Sequence, residues 1–398
     1  MKIRQEFLPL NRPSIGELEI AGVTACLRSK WITTGALCKR FEEEFQALTG
    51  ARHAVSVCSA TAGMHLALMS LGINPGDEIL TPSLTFASTV NMIVLLGARP
   101  VFVDVHYDTL NLNADDIEAR ITSKTRAIIP VHFAGAPADM EPILDVADRH
   151  HLTVIEDAAH AIGTRYRGTH AGGFGRIAIF SFHPLKNVTT GEGGMITHND
   201  DLLEKKLRLL RFHGIERDAW KRYGKGGNPE YDIAEPGYKY NLTDIQAALG
   251  IAQLSRLSEF NRRRGELVKL YREGLGDTEG LELPGDPSYP HDHACHLFVV
   301  KIVAMERKRF MERLSEYNIG YGLHFPACHL LKYVRNRFGV TPLPETERAA
   351  GRIMSLPLFP DMSDDDVAYV CAAVREILKR GRGGGSAGKE KRGRLRSK

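Results

Sequence analysis

The chain contains few cysteines and no long hydrophobic run. Six cysteines in 398 residues form no C-x-x-C pair, so free thiols in a reducing compartment explain them better than disulfides or a zinc site. The first residues, Met-Lys-Ile-Arg-Gln-Glu-Phe, lack the apolar core of a secretory signal, and no apolar stretch is long enough to cross a bilayer. The sequence therefore predicts a cytoplasmic protein without membrane insertion.

Two common nucleotide-binding motifs are absent, and residues 1–378 carry no net positive charge. No G-x-G-x-x-G follows an apolar run, and no Walker-type lysine occurs, which argues against the usual dinucleotide and nucleoside triphosphate sites. The net charge is +4, but residues 379–398 alone carry +8, leaving −4 on residues 1–378. A slightly acidic body argues against a nucleic-acid surface. A non-catalytic regulator that binds nucleic acid through the basic tail stays open as an alternative, although tail charge alone gives weak, salt-sensitive binding.

Apolar runs alternate with helical patterns along most of the chain. Short runs end near residues 58, 80, 105, 133 and 155, and helical patterns fill the gaps, including 114–121. This alternation predicts an α/β fold with a mostly parallel sheet covered by helices. A long helical pattern follows at 243–275, and a second α/β pattern closes with a helix at 363–379. We therefore expect a large domain over residues 1–250 with helices at its N-terminus, a small domain over 251–380 and a disordered basic tail over 381–398.

The stretch from Ile179 to Met195 is the first candidate for chemistry. An apolar run ends just before Lys186, and a hydroxyl pair with a Gly-Glu-Gly-Gly turn follows at Thr189–Gly194. Lysine forms Schiff bases with carbonyl compounds, including pyridoxal phosphate (PLP), and the glycines would let a large ligand approach the backbone. A surface lysine in a glycine-rich turn is the plain alternative.

An acidic pair at the end of a buried strand is the second candidate. In Val154-Ile-Glu-Asp157-Ala-Ala-His160 a carboxylate at the strand end is costly to bury unless it meets a positive partner. A pyridinium nitrogen is such a partner, and the ion pair keeps the ring an electron sink. His160 could then hydrogen-bond the phenolic oxygen of the ring. A metal site formed by Asp157 and His160 is a less favoured alternative.

Small hydroxyl residues at strand ends could hold a phosphate group. Ser59-Ala60-Thr61 starts a helical pattern, where free N–H groups and the helix dipole favour anions. Ser181 precedes Lys186 by five residues and could add a hydroxyl, and Phe86 could stack on a flat ring. Plain N-capping and core packing are the alternatives. Histidines cluster at 291–296 and 324–329, where a binding pocket or simple packing explains them at least as well as a metal, so no metal is predicted.

The whole pattern resembles the DegT/DnrJ/EryC1/StrS family of sugar aminotransferases, over residues 8–378. The shared pieces are Trp31-Ile-Thr-Thr-Gly, Ser59-Ala-Thr-Ala-Gly-Met-His, Ile129-Pro-Val-His-Phe-Ala-Gly-Ala-Pro-Ala-Asp139, Tyr238-Lys-Tyr-Asn-Leu-Thr-Asp244, Gly322-Leu-His-Phe325 and Ser355-Leu-Pro-Leu-Phe-Pro-Asp-Met362. The resemblance implies a fold type I PLP enzyme in which Lys186 binds the cofactor covalently, Asp157 pairs with its ring nitrogen and His160 contacts its ring oxygen.

The resemblance also implies further contacts and partners. Ala60, Thr61 and Ser181 would hold the cofactor phosphate and Phe86 would stack on the ring. Asn241 would reach the phosphate from the neighbouring subunit of a homodimer. His324 and His329 would contact the substrate. The implied reaction moves an amino group from L-glutamate, leaving 2-oxoglutarate, to a UDP-linked 4-keto pentose. Another nucleotide-linked keto sugar, such as a hexose, is the alternative substrate.

Overall fold

The computed structural model describes residues 2–215 and 230–383. Within these ranges the strands are β1 His53–Val57, β2 Glu78–Pro82, β3 Arg99–Val103, β4 Thr125–Ile128, β5 Thr153–Asp157, β6 Arg165–Tyr166, β7 Thr169–His170, β8 Ile177–Ser181, β9 Gly194–His198, β10 Leu281–Glu282, β11 His291–Asp292, β12 Phe298–Ile302 and β13 Ile353–Leu356.

The α-helices of the same ranges begin and end as follows: α1 Glu17–Ser29, α2 Ala36–Thr49, α3 Ala60–Ser70, α4 Ala87–Leu95, α5 Met140–Arg149, α6 Asp201–Arg211, α7 Asp244–Ser255, α8 Leu257–Leu275, α9 Arg307–Glu316, α10 Lys332–Phe338, α11 Pro344–Ala350 and α12 Asp364–Gly383. Single 3-10 turns lie at Ala114–Asp116, Glu118–Arg120, Phe133–Gly135 and Cys328–Leu330.

A seven-stranded sheet forms the centre of the larger part. Its order is β1-β9-β8-β5-β4-β2-β3. Strands β8, β5, β4, β2 and β3 run parallel, and β9 is antiparallel to both of its neighbours, β1 and β8. Central strands such as Ile177–Ser181 are buried at every position, as expected for a sheet covered on both faces. The predicted α/β class with a mostly parallel sheet is confirmed.

A second part packs around the three-stranded sheet β10-β12-β13. Its core is formed by apolar residues of that sheet and of α8, α9 and α12, together with Leu8 from the N-terminal segment. A separate apolar cluster, which includes Leu84, Phe133, Leu297 and Phe325, joins this part to loops of the large sheet. The two parts therefore share a packed boundary, and the cavity described below lies along it.

Several predicted element bounds need correction. The pattern at 243–275 is two helices, because the backbone leaves helical geometry at Arg256 (φ −101°, ψ 1°), whose guanidinium pairs with Glu19. Residues 114–121 form 3-10 turns rather than an α-helix, since Asn113 caps the backbone and Asp116 accepts from the Asp104 N–H. The expected boundary at residue 250 falls inside α7.

The last helix also departs from its predicted range. It extends to Gly383, three residues into the predicted tail, and residues 384–398 lie outside the described ranges. Across 2–215 and 230–383, none of the helices combines the length and apolar character needed to span a bilayer.

Candidate active site

A cavity of about 360 Å³ opens where the parallel strands end. Its wall includes Asp157 at the end of β5, Ser181 at the end of β8 and Lys186 in the β8–β9 connection. Helix starts and the second part of the molecule close the other sides. The carboxyl ends of parallel strands are where ligands bind in open α/β sheets, so this cavity is the candidate active site.

Lys186 presents a buried amine to this cavity. Its backbone N–H donates to the His183 carbonyl at 2.8 Å, which fixes a tight turn just after β8. Burial lowers the pKa of the Lys186 ammonium to about 8, against the opposing attraction of Asp157. A lysine with such a pKa is partly neutral near physiological pH, and the neutral amine is the nucleophilic form.

Asp157 carries a carboxylate that the protein satisfies only in part. Oδ2 accepts from the Thr89 hydroxyl at 2.9 Å and Oδ1 accepts from the Ala159 N–H at 3.3 Å. Burial raises the pKa of Asp157, although Thr89, Ala159 and the Lys186 charge act in the opposite direction. A cationic group placed in the cavity would stabilise the ionised carboxylate.

His160 is held in one tautomer. Its Nδ1 accepts the Ala134 N–H at 3.3 Å, so in the neutral ring Nε2 carries the proton. Burial lowers the pKa of His160 well below its usual value, and the positive charge of Lys186 adds to this effect. The ring is stacked on Phe325 with centroids 5.5 Å apart. A neutral histidine on the cavity wall can therefore donate one hydrogen bond without carrying charge.

The predicted phosphate-binding residues all line the cavity. Ser59 caps helix α3 by accepting the Ala62 N–H at 3.1 Å. Ala60 and Thr61 form the first turn of that helix and line the cavity, as does the Ser181 side chain. Free N–H groups of a first helical turn together with a nearby hydroxyl are suited to a phosphate dianion.

Two predicted residues lie on other parts of the wall. Phe86 stands at the start of α4, is 61% exposed and has its ring centre 6.0 Å from that of Phe325. His324 comes from the second part of the molecule, where its Nδ1 lies 2.9 Å from the Ser355 hydroxyl. Burial lowers the pKa of His324 to about 4. Both residues line the cavity.

Two other predicted residues do not line this cavity. His329 is 1% exposed, with Nδ1 at 2.7 Å from the Ser83 hydroxyl and Nε2 facing Glu347 at 3.4 Å. Because both ring nitrogens are occupied in a packed environment, we leave His329 out of the proposed site. The amide nitrogen of Asn241 donates to the Thr34 hydroxyl at 2.6 Å, and this residue is not part of the cavity wall of its own chain.

Several residues that line the cavity were not predicted to be part of the site, among them Thr89, His296 and Asn11. Thr89 supports Asp157 from the first turn of α4, and His296 lies with its ring centre 4.3 Å from that of His160. Asn11 donates to the Leu185 and Leu358 carbonyls at 3.0 and 3.3 Å, which ties the N-terminal segment to both parts of the molecule. The sequence signals were weak: Thr89 follows a strand end by seven residues, and His296 belongs to a histidine cluster that packing alone could explain.

The arrangement fits PLP. A buried amine, an incompletely satisfied carboxylate and a phosphate-type helix start face one cavity, with an aromatic ring at its wall. Among the described residues no group of three or more His, Cys, Asp or Glu side chains is arranged to hold a metal ion. PLP needs an amine for its aldehyde, an acid for its ring nitrogen and donors for its phosphate, and the cavity offers each of them.

Comparison with known proteins agrees with this chemistry. Residues 13–375 match the model of the DegT/DnrJ/EryC1/StrS aminotransferase family. The aminotransferase TlmJ from Streptoalloteichus hindustanus is 32% identical, with a TM-score of 0.87 over 94% of this chain and 99% of that one. Spr1654 from Streptococcus pneumoniae, assigned as a sugar aminotransferase and solved in its PLP form, is 30% identical, with a TM-score of 0.88 over 94% and 99%.

A third similar structure is that of DesI, solved in the presence of its TDP-sugar product. It is 32% identical, with a TM-score of 0.87, and the match covers 97% of this chain and 96% of that one. The fold type I architecture, the PLP dependence and the enzymatic nature expected from the sequence are confirmed by these matches. The protein is a PLP-dependent enzyme that belongs to the DegT/DnrJ/EryC1/StrS family of sugar aminotransferases.

Proposed function

We propose that this enzyme transfers the amino group of L-glutamate to C4 of a UDP-linked 4-keto pentose, giving UDP-4-amino-4-deoxy-L-arabinose and 2-oxoglutarate. The observation that carries the aminotransferase chemistry is the meeting of Lys186 and Asp157 in one cavity. The pentose rests on the resemblance of the sequence to aminotransferases that make this sugar, above all in Gly322–Phe325 and Ser355–Met362. Such a product would serve the modification of lipid A in lipopolysaccharide.

Lys186 is the proposed catalytic base and cofactor anchor. PLP, when bound, supplies an electron sink that lets an amino group pass between an amino acid and a carbonyl compound. A pKa near 8 leaves part of the Lys186 amine neutral at physiological pH, so Nζ can attack an aldehyde. Released from that bond, the same Nζ would accept the proton from Cα of the amino donor.

Asp157 and His160 are proposed to set the charge around the cofactor ring. The carboxylate of Asp157 would hold the ring nitrogen in its protonated form. The ion pair would offset the cost of burying the carboxylate, which raises the pKa of Asp157 when no cation is present. Nε2–H of His160 would donate to the phenolic oxygen, because Nδ1 is already engaged with Ala134. His324, whose ring centre lies 6.5 Å from that of His160, is proposed to contact the sugar.

The remaining cofactor contacts follow the cavity wall. Ala60 and Thr61 would donate backbone N–H groups, and Ser181 its hydroxyl, to the cofactor phosphate. The ring of Phe86 would stack on the pyridine ring, and its large exposed fraction leaves a face free for that contact. These four contacts use groups that have room for a ligand.

We propose that the active unit is a homodimer that shares its sites. Glutamate and a nucleotide sugar bring carboxylates and a diphosphate, yet Lys186 is the sole Lys or Arg among the described residues that line the cavity. Asn241 does not line this cavity in its own chain, so we propose that its amide reaches the site of a second copy. Mixing Lys186→Ala protein with Asn241→Ala protein should restore activity through hybrid dimers that hold one intact site. No recovery after subunit exchange would contradict a shared site.

A substrate panel tests the proposed sugar. Purified enzyme with L-glutamate is offered UDP-4-keto pentose and a series of UDP- and TDP-linked 3- and 4-keto hexoses, and the mass of each amino-sugar product is measured. We expect the highest kcat/KM with the UDP-linked pentose. The likeness to DesI, solved with its TDP-sugar product, favours a TDP-linked hexose as the second candidate. A higher kcat/KM with that substrate would replace the pentose assignment.

A further inference from the structure

His296 is a buried histidine of the cavity wall for which the proposed function has no role. It lies in the segment that leads into β12, and its main chain is fixed by two contacts. The His296 N–H donates to the Ala134 carbonyl at 3.0 Å, and its own carbonyl accepts from Arg264 Nη1 at 3.2 Å. The residue is 2% exposed, so little but the cavity and its neighbours can contact the ring.

The hydrogen bonds of Asn187 decide the tautomer of His296. Nδ2 of Asn187 donates both of its protons, to Asn261 Oδ1 and to the Ala294 carbonyl, each at 2.7 Å. Oδ1 of Asn187, 3.0 Å from His296 Nδ1, is therefore an acceptor. His296 must carry its proton on Nδ1 and leave Nε2 as an unprotonated acceptor.

The short loop that contains Ala134 and Gly135 contacts His296 as well and holds His160 in the opposite tautomer. Ala134 donates its N–H to His160 Nδ1 at 3.3 Å and accepts the His296 N–H with its carbonyl. This close approach depends on Gly135 (φ +95°), where a Cβ would meet the His296 nitrogen at 3.0 Å. One loop therefore aligns two neutral rings whose centres are 4.3 Å apart.

Asn187 also follows Lys186 directly in the chain. A continuous path of contacts thus runs from the Lys186 backbone through the Asn187 amide to the His296 ring and on to the His160 ring. The His160 ring is also stacked on Phe325, with centroids 5.5 Å apart and an interplanar angle of 23°. The aldehyde carbon and the phenolic oxygen of PLP sit on adjacent ring atoms, and in the proposed function Lys186 and His160 serve these two groups.

We propose that Asn187 and His296 form a positioning pair. The pair keeps the Lys186 amine and the His160 N–H at the relative positions that the aldehyde carbon and the phenolic oxygen of PLP require. The pair rests on the proposed roles of Lys186 and His160, and it acts through them without touching the reacting atoms. The titratable and charged groups around His296 are His160, His324, Lys186 and Arg264. Without the pair, the His160 ring loses its nearest ring neighbour, which lies at 4.3 Å, and can shift away from the phenolic oxygen.

The tautomers are measured first, in cofactor-free wild-type protein. Long-range proton–nitrogen correlation spectra of protein labelled with nitrogen-15 in histidine distinguish Nδ1–H from Nε2–H rings, and spectra of His160→Gln and His296→Gln assign the signals. We expect neutral rings at neutral pH, with the proton on Nε2 in His160 and on Nδ1 in His296. A charged His296, or a proton on its Nε2, would overturn the pair. This measurement needs neither cofactor nor turnover, so it stands apart from the proposed function.

Variants then test the effect on the bound cofactor. Asn187→Leu removes the hydrogen bond to His296 together with those to Asn261 and Ala294. His296→Ala removes both the bond and the ring, and His296→Phe keeps a ring without the bond. A donor to the phenolic oxygen favours the unprotonated form of the imine between Lys186 and PLP. Weakening that donor should therefore raise the pH at which the bound cofactor changes colour, by roughly one unit in Asn187→Leu and His296→Ala and by less in His296→Phe.

Matched controls separate positioning from general damage. His150→Ala removes a histidine paired with Glu118 at the surface and should leave the colour change where it is in wild type. An unchanged midpoint in Asn187→Leu and His296→Ala that still bind PLP would overturn the positioning role. Wild-type protein that takes up no PLP would instead refute the proposed function and leave the tautomer result untouched. If the variants do not fold, the wild-type spectra decide.

Discussion

Glu156 and Asp157 are neighbours in strand β5, yet the protein treats their carboxylates in opposite ways. Glu156 is fully buried and accepts four hydrogen bonds, from His132 Nε2 at 3.0 Å and from three backbone N–H groups at 2.6–2.9 Å. Asp157, 8% exposed, accepts two from the described residues and faces the cavity. Side chains of consecutive strand residues point to opposite faces of a sheet, so one strand supplies both a structural and a functional acid.

The pKa values follow the same division. Burial raises the pKa of Glu156, but the His132 contact and the backbone donors outweigh it, and the net pKa is lowered. At Asp157 burial dominates and the pKa is raised. A buried charge that the protein satisfies contributes to the fold, and a buried charge left partly unsatisfied needs a ligand. The sequence Glu-Asp does not reveal which is which.

The largest effect is expected at the cavity side, from Lys186→Ala. Turnover of amino donor and keto sugar should fall by roughly four orders of magnitude or more, because no other amine of the described cavity wall can anchor PLP or move the proton. The free energy of unfolding should stay equal or rise, since burial of this amine is costly. Steady-state rates, denaturant unfolding and PLP uptake are measured. Retained turnover in this variant would rule out Lys186 as the catalytic amine.

Asp157→Asn is expected to rank second and to leave the fold intact. Loss of the anionic partner for the ring nitrogen should lower kcat by roughly a thousandfold, about 4 kcal/mol in the barrier. The free energy of unfolding should not fall, because a neutral amide replaces a carboxylate whose ionisation the site disfavours. Rates and urea unfolding are compared with those of wild type. A stable variant with wild-type kcat would remove Asp157 from the mechanism.

Glu156→Gln should produce the reverse result, with a destabilised protein and a nearly unchanged site. The amide NH2 group of glutamine would replace a carboxylate oxygen that accepts from two donors, so N–H groups would face N–H groups. This should lower the free energy of unfolding by about 3 kcal/mol. Activity per folded molecule should stay within about threefold of wild type. Glu118→Gln changes an acid paired with Arg149 and His150 at the surface, and this control should lose clearly less stability than Glu156→Gln. Equal losses in both variants would contradict the division.

Lowering the pH should change the stability contributions of Glu156 and Asp157 in opposite directions. The lowered pKa of Glu156 gives stability that is present above the unfolded value near 4.5 and is lost as the pH falls through its folded pKa. The raised pKa of Asp157 acts in reverse, because the folded protein gains its proton before the unfolded chain does. Between pH 7 and about pH 4, Glu156→Gln should therefore lose less stability than wild type and Asp157→Asn more. Differences of about 1 kcal/mol are expected in urea titrations at each pH. Identical slopes would refute the assigned directions.

The sequence predicted the site as far as strand ends and residue chemistry allow. Lys186, Asp157 and Ser181 follow buried strands, so their meeting at one sheet edge could be predicted. Thr89 and His296 could not, because their roles depend on contacts across 68 and 109 residues of chain. The contacts of His329 could not be predicted either, since a sequence does not show that Ser83 and Glu347 lie against its two ring nitrogens.

The helices were predicted less well where side chains interrupt the backbone pattern. The periodic stretch 243–275 is continuous in sequence, but the backbone leaves helical geometry at Arg256, whose side chain contacts Glu19 and Ser14 far away in the chain. The turns at 114–121 depend likewise on Asp116. Its carboxylate accepts a hydrogen bond from the backbone N–H of Asp104, the residue that follows β3. Local periodicity thus predicted element type, and distant polar contacts set the bounds.

The smallest effect is expected from Thr89→Val. This variant tests whether a single hydrogen bond to Asp157 serves catalysis or stability. The variant keeps the shape of the side chain and removes one of the two donors to Asp157, leaving the Ala159 N–H. We expect kcat/KM to fall about fivefold, near 1 kcal/mol, because a neutral hydroxyl bond contributes about that much.

The stability of Thr89→Val should change little, since bound PLP takes over part of the charge compensation at Asp157. Thr49→Val is the matched control, because its buried hydroxyl donates to the Phe45 carbonyl at 2.9 Å within α2. It should lose a similar or larger share of unfolding free energy while keeping wild-type kcat/KM. A loss of stability without a loss of kcat/KM in Thr89→Val would place Thr89 with Glu156, on the structural side of the strand.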